Sequence, residues 1–256
     1  MKKKIYKLKR KFYIPFLIII LSPFFIMGYK IFLHQSYNKK IEKALEKTEK
    51  VINNNDNNDT KYLEELRNMN NDFVGILTIP NTIINYPVMY TKSDYYLRRS
   101  FDKKQSDAGT LYIDKYNIID PIDDNIIIYG HNMKNGTMFH ELLNYKDEEY
   151  YKEHKYIYFN KIDNNEKYEI ISVFYSKVYY ENEKVFKYYK FYRTEDTIEF
   201  NDYVKNIKEL SLYDTGIDAK LGDKFITLST CEYSQENGRF VVIAKKIYHY
   251  VSYIQD

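Results

Sequence analysis

Lys224–Lys246 reads KFITLSTCEYSQENGRFVVIAKK, two apolar runs (Phe225–Leu228 and Phe240–Ala244) around a polar loop. Short apolar runs bounded by polar turn residues read as paired strands. Cys231, the only cysteine in the chain, sits at the mouth of the loop, and Arg239 opens the return strand. A thiol at a strand end with a guanidinium across the turn has the electropositive setting that a thiolate needs near neutral pH. Arginine keeps its charge where lysine can lose it. The plainer reading is a cysteine packed into a strand, so the rest of the chain must choose between them.

A second stretch supplies a base. Of five histidines, His34 precedes a polar segment, His140 and His154 sit in helical, charged surroundings, and His249 is near the end of the chain. Each reads as a surface residue. His131 instead follows Gly130 at the end of the near-continuous apolar run Asn125–Tyr129, where a side chain enters loop territory and sites are usually built. Thr227-Leu228-Ser229-Thr230-Cys231 with Arg239, taken together with Tyr129-Gly130-His131-Asn132, resembles the signature of the sortases. These are cysteine transpeptidases that attach proteins to Gram-positive cell walls. The GRFVVIAKK run at 238–246 is most similar to class B, and the resemblance covers about Phe73–Ile247.

The resemblance implies a mostly β fold: an eight-stranded sortase-type barrel with inserted helices. It implies Cys231 as nucleophile, His131 as general acid and base, and Arg239 as the group holding substrate or oxyanion, together with the backbone N–H of Glu232. Thr230 matches the residue that shapes the pocket, Ser229 and Tyr129 fall where class B members touch the sorting peptide, and Glu232 adjoins them. For Tyr129 and Ser229, packing stands beside substrate contact, and for Arg239 a salt bridge with Glu232 or Glu236 stands beside catalysis. Either Glu232 or Asp114 is placed to orient His131. The implied partners are secreted proteins with an NPxTx-like C-terminal sorting signal, cleaved after Thr, and an amine on a lipid-linked peptidoglycan precursor. No metal or other cofactor is expected, since the His and acidic residues lack ligand spacing and no phosphate-binding loop occurs. A net charge of +3, with lysines scattered among 36 acidic residues, argues against a nucleic-acid partner.

Outward from this core, the chain reads as four segments. Residues 1–11 are a basic segment with Lys2, Lys3, Lys4, Lys7, Lys9, Arg10 and Lys11. Residues 12–33 read as a transmembrane signal anchor, because Phe12–Tyr29 carries no charge and the length approaches the roughly 20 residues that cross a bilayer. The basic flank places the N-terminus inside and the remainder outside the cell membrane. Residues 34–72 read as a helical connector, with a polar linker at Asn53–Asp59 and a helix over Lys61–Met69. Residues 73–256 form the β domain, with further helices expected over Ser93–Arg99, Thr137–Leu143, Asp147–Glu153 and Thr194–Leu212. Thr194 is the expected N-cap of the last.

Three other functions fit the same chain, one of them a membrane-anchored cysteine hydrolase whose acyl-enzyme would go to water. A pilus-assembling sortase would pass the acyl group to a pilin lysine, but the Asp-Pro-aromatic lid common in such enzymes is missing before Phe73. An anchored β-barrel binding module would keep Cys231 buried and inert.

Overall fold

The computed structural model describes residues 15, 17–33, 35, 36, 39 and 60–248, and the chain forms two units, Met1–Glu46 and Lys47–Asp256. In the first unit, residues 17–33 are helical, with exposed Leu17, Ile18, Phe24 and Phe25. Among the described residues no helix is long and apolar enough to cross a membrane, so the span expected over 12–33 is not supported. The basic segment 1–11, most of the connector helix, the linker Asn53–Asp59, His34 and His249 lie outside the described residues.

The second unit is an eight-stranded closed barrel, ordered β1-β2-β3-β4-β7-β8-β6-β5. Its strands are β1 (Phe73–Thr78), β2 (Asn85–Met89), β3 (Leu111–Ile113), β4 (Asn125–Tyr129), β5 (Tyr156–Lys161), β6 (Asn165–Lys177), β7 (Phe225–Cys231) and β8 (Gly238–Lys246). Side chains alternate across each strand. On β7 and β8, Ile226, Leu228, Phe240, Val242 and Ala244 fill the barrel. Phe225, Val241 and Ile243 face outward.

That outward face is covered rather than wet. Helix α3 (Thr197–Leu210) lays Phe200, Tyr203 and Ile207 over it, joined by Tyr188 and Phe191 from the long β6–β7 connection. The helix begins later than expected. Asp196 is its N-cap, accepting from the N–H groups of Ile198 and Glu199, while Thr194 Oγ1 accepts from Asp196 N and donates to the Glu199 carboxylate. A carboxylate answers two exposed N–H groups and the positive helix end better than one hydroxyl. The helices α1 (Lys61–Met69) and α2 (Glu148–Glu153) fall where expected. The helix expected over Thr137–Leu143 is instead a 3₁₀ turn over His140–Lys146. Its start is broken because Met138 takes a φ of 60° and pairs with Asn132. Over Ser93–Arg99 there is a 3₁₀ turn at Tyr95–Arg98.

The β5–β6–β8 seam carries a buried charge. Glu166 is 5 % exposed and takes Lys161 at 2.9 Å, Lys246 at 2.7 Å and the Tyr168 hydroxyl at 2.7 Å. Burial raises its pKa, but the two ammonium groups and the phenol outweigh that and hold it below the usual glutamate value. A depressed folded-state pKa stabilises the fold above the unfolded value of about 4.3 and is lost as pH falls through the folded one. Glu166→Gln should therefore lose about 2 kcal/mol at pH 7, less than a fully buried pair because the lysines are partly solvated. Urea denaturation at pH 7 and pH 3 tests this: the difference from the parent chain should shrink at the lower pH.

Candidate active site

The strand register sets Cys231 opposite Arg239 and leaves His131 just past the end of the neighbouring strand. β4 runs parallel to β7 with Tyr129 opposite Ser229, and β7 runs antiparallel to β8 with Cys231 opposite Arg239. Opposite residues project from the same face, with Cβ atoms about 5 Å apart, so Arg239 flanks Cys231 on one side. His131 lies two residues beyond Tyr129, past the end of β4, just as Cys231 lies two beyond Ser229. Cys231 is half-buried. It is the first residue of the β7 outward face that the covering layer leaves open, since Ser229 below it is 1 % exposed and its hydroxyl is bonded to Tyr188 Oη at 2.8 Å.

The strand ends are tied together by polar contacts. Gly130 N donates to Ser229 O at 3.2 Å, Thr230 Oγ1 donates to Gly130 O at 2.8 Å, and Asn132 Nδ2 donates to Cys231 O at 3.1 Å. A side chain at Gly130 would run into Leu111 and, at 2.6 Å, Phe139, so packing requires glycine before His131.

The imidazole partner is neither of the carboxylates expected. His131 Nε2 lies 2.8 Å from Leu97 O. A carbonyl only accepts, so Nε2 carries the proton and Nδ1 is the nitrogen left for proton transfer. Asp114 instead accepts from the Tyr129 and Tyr192 hydroxyls and from Tyr116 N. The Glu232 carboxylate is taken by Ser234 N at 2.9 Å and Ser234 Oγ at 2.5 Å. The Glu232 N–H, expected to face an oxyanion, donates to Gly238 O at 3.0 Å.

Arg239 makes no ion pair with Glu232 or Glu236 among the described residues; Nη1 donates to Gly238 O at 2.8 Å and Asn237 O at 3.3 Å. These bonds orient the guanidinium while leaving other donors of the fork open.

Tyrosines floor the site. Tyr112 lies tilted against Tyr129 with ring centroids 5.7 Å apart. Burial, and then the Asp94 and Asp114 carboxylates, push the Tyr112 phenol well above its usual pKa. The Arg239 guanidinium pulls it down and the Cys231 thiol adds to the rise. One phenol thus feels both the sulfur and the guanidinium. Burial likewise raises Tyr129 and Tyr188, so all three remain protonated donors at neutral pH. Leu97, Asn132, Tyr112 and Tyr188 were not identified from sequence. Only Asn132 carried a signal, as the residue after the histidine in the Tyr129–Asn132 motif. His140, read as an ordinary surface residue, is exposed but bonds Asn132 Oδ1 through Nδ1 at 2.7 Å. A half-buried thiol opposite a guanidinium, with a histidine just past the neighbouring strand, is compatible with acyl transfer through sulfur.

Comparison with known proteins agrees with this geometry. A Sortase domain model matches residues 77–247. Sortase B of Listeria monocytogenes is 33 % identical over 239 residues, covering 90 % of this chain and 94 % of that protein. The S. aureus sortase B–substrate complex superposes with a TM-score of 0.71 at 26 % identity, over 84 % of this chain and 97 % of that one. Sortase B from B. anthracis in complex with AAEK1 superposes with a TM-score of 0.65 at 33 % identity, over 74 % and 85 %.

Gly109 tests the placement of the imidazole. Its φ is +60°, and an added Cβ would meet Leu97 O, the atom holding His131, at 2.5 Å. Gly109→Ala should cost about 1–3 kcal/mol of stability and, by displacing that carbonyl, about tenfold or more in turnover. Gly216 is the control, with φ +72° and nothing within 4 Å of an added Cβ. Gly216→Ala should lose stability and keep its turnover when both variants are assayed below their unfolding transitions.

Proposed function

Because the chain belongs to the sortase family of cysteine transpeptidases and is most similar to its class B members, we propose that it cleaves an NPxTx-like sorting signal after Thr and transfers the protein to an amine of a lipid-linked peptidoglycan precursor. The observation that supports this assignment of roles is the register that sets Tyr129 opposite Ser229 and Cys231 opposite Arg239, with His131 two residues past the end of β4.

The Cys231 thiolate attacks the threonine carbonyl. The peptide C–N bond breaks as the His131 imidazolium protonates the departing amine, leaving a thioacyl-enzyme. The incoming amine gives its proton to the now neutral His131 and forms the new amide as the C–S bond breaks, which restores the Cys231 thiolate and the His131 imidazolium. Arg239 supplies the charge that meets the oxyanion. With the Glu232 N–H held by Gly238, the guanidinium carries that task without the expected main-chain donor. Thr230 and Ser229 shape the groove through their own internal hydrogen bonds, while Tyr129 and Glu232 border it.

The uncharged run Phe12–Tyr29 behind a basic segment supports a cell-membrane anchor with the N-terminus inside. Anchoring would raise the effective concentration of two membrane-held substrates.

Incubating the purified chain with quenched NPxTx and LPxTG peptides and an amine acceptor tests the reaction. Cleavage after Thr of the NPxTx peptide, with the amine adduct seen by mass spectrometry, is expected; Cys231→Ala should yield neither product. Arg239→Lys should lose about a hundredfold in turnover, because a point charge does not reproduce the planar fork. Turnover near the parent level in that variant would remove Arg239 from its role.

A further inference from the structure

β4 stops at Tyr129, whereas β7 continues to Cys231. On the β8 side the ladder runs past the cysteine, with Glu232 N bonded to Gly238 O. On the β4 side no strand remains to receive the Cys231 carbonyl, and the Asn132 side chain takes that place through Nδ2 at 3.1 Å. Asn132 is itself held at several points. Its Oδ1 lies 2.7 Å from His140 Nδ1, its main chain bridges to Met138, and its carbonyl lies 3.5 Å from the Tyr233 hydroxyl.

The amide orientation follows from this arrangement. An amide oxygen accepts and a carbonyl accepts, so Asn132 can serve Cys231 only with its NH2 turned toward it. The His140 N–H holds the oxygen on the opposite side. Without that N–H, the amide is free to turn and set its oxygen against the Cys231 carbonyl, which repels it.

We infer that Asn132 is a positioning residue, whose amide substitutes for the missing strand and sets the direction of the Cys231 sulfur toward His131, and that His140 acts through Asn132. Asn132 follows the imidazole directly and binds the main chain of the thiol, so one side chain sets the spacing of the reacting pair. The inference rests on Cys231 being the nucleophile.

Steady-state kinetics of the full chain on the quenched NPxTx peptide, with thermal midpoints, test it. Asn132→Ala should lower kcat about ten- to a hundredfold with KM within about twofold. Asn132→Asp, which keeps the shape but offers no donor, should be impaired as much. His140→Ala should lower kcat about fivefold, the scale of one hydrogen bond, and should cost nothing further in the Asn132→Ala background. His140→Gln, whose amide can donate, should recover most of that loss.

Asn132→Asp with kcat near the parent value overturns the inference. So do additive losses in the double variant, or losses of kcat that merely follow the folded fraction. If Asn132→Ala does not fold, Asn132→Asp and the His140 pair decide. Activity retained in Cys231→Ala overturns the nucleophile assignment; an inactive Cys231→Ala beside a fully active Asn132→Asp overturns this inference alone.

Discussion

Cys231 has a neighbour on each flank because β7 lies between a parallel partner, β4, and an antiparallel one, β8. The register of the β4–β7 pair is the constraint on which the site depends. A slip of one residue would turn the alternation over and point the sulfur into the barrel. Polar contacts hold that register at both ends. At the base, Asn125 is fully buried, with Oδ1 accepting from Thr227 Oγ1 at 2.8 Å and Nδ2 donating to Phe191 O at 2.9 Å. At the top, Thr230 is bonded to Gly130 O. Leaving such groups unpaired in the interior costs more than the net value of the bonds they make, so slipped registers are penalised at both ends.

The same alternation divides the two faces by task. Inward positions of β7 and β8 are apolar and fill the barrel, while outward positions change from Phe225 through Thr227 and Ser229 to Cys231. Helix α3 and the Tyr188 segment cover the lower part of that face, and cover ends just below Cys231. A thiol placed one pair lower would be sealed. Set on the loop beyond, it would lack the fixed direction that a strand imposes.

Electrostatics around the sulfur follow from what each charged group already binds. Asp114 is occupied by two phenols, and Glu232 by Ser234. Neither carboxylate is spent on the imidazole, and Arg239 makes no ion pair among the described residues. The guanidinium is thus a fixed charge on the residue directly opposite Cys231. The histidine is oriented by a main-chain carbonyl, which fixes its tautomer without adding a negative charge.

Much of this was legible in residue order. Short apolar runs mark strands, and β4, β7 and β8 lie where those runs fall. Cys231 and Arg239 are joined by a hairpin, so their pairing follows from local sequence. The TLSTC and YGHN stretches identify the family. The helix starts near Thr137 and Thr194 were misplaced because the deciding features, a positive φ at Met138 and a second acidic cap at Asp196, are local geometries that composition does not specify. By itself, then, the sequence determined the strand pattern, the cysteine–arginine pair and the family. Only the tertiary structure decided what stands beside them: Leu97 O on His131, Tyr188 on Ser229, the amide of Asn132 on Cys231. These pairs join residues tens of positions apart and include main-chain carbonyls, which every residue type carries and no sequence pattern can distinguish.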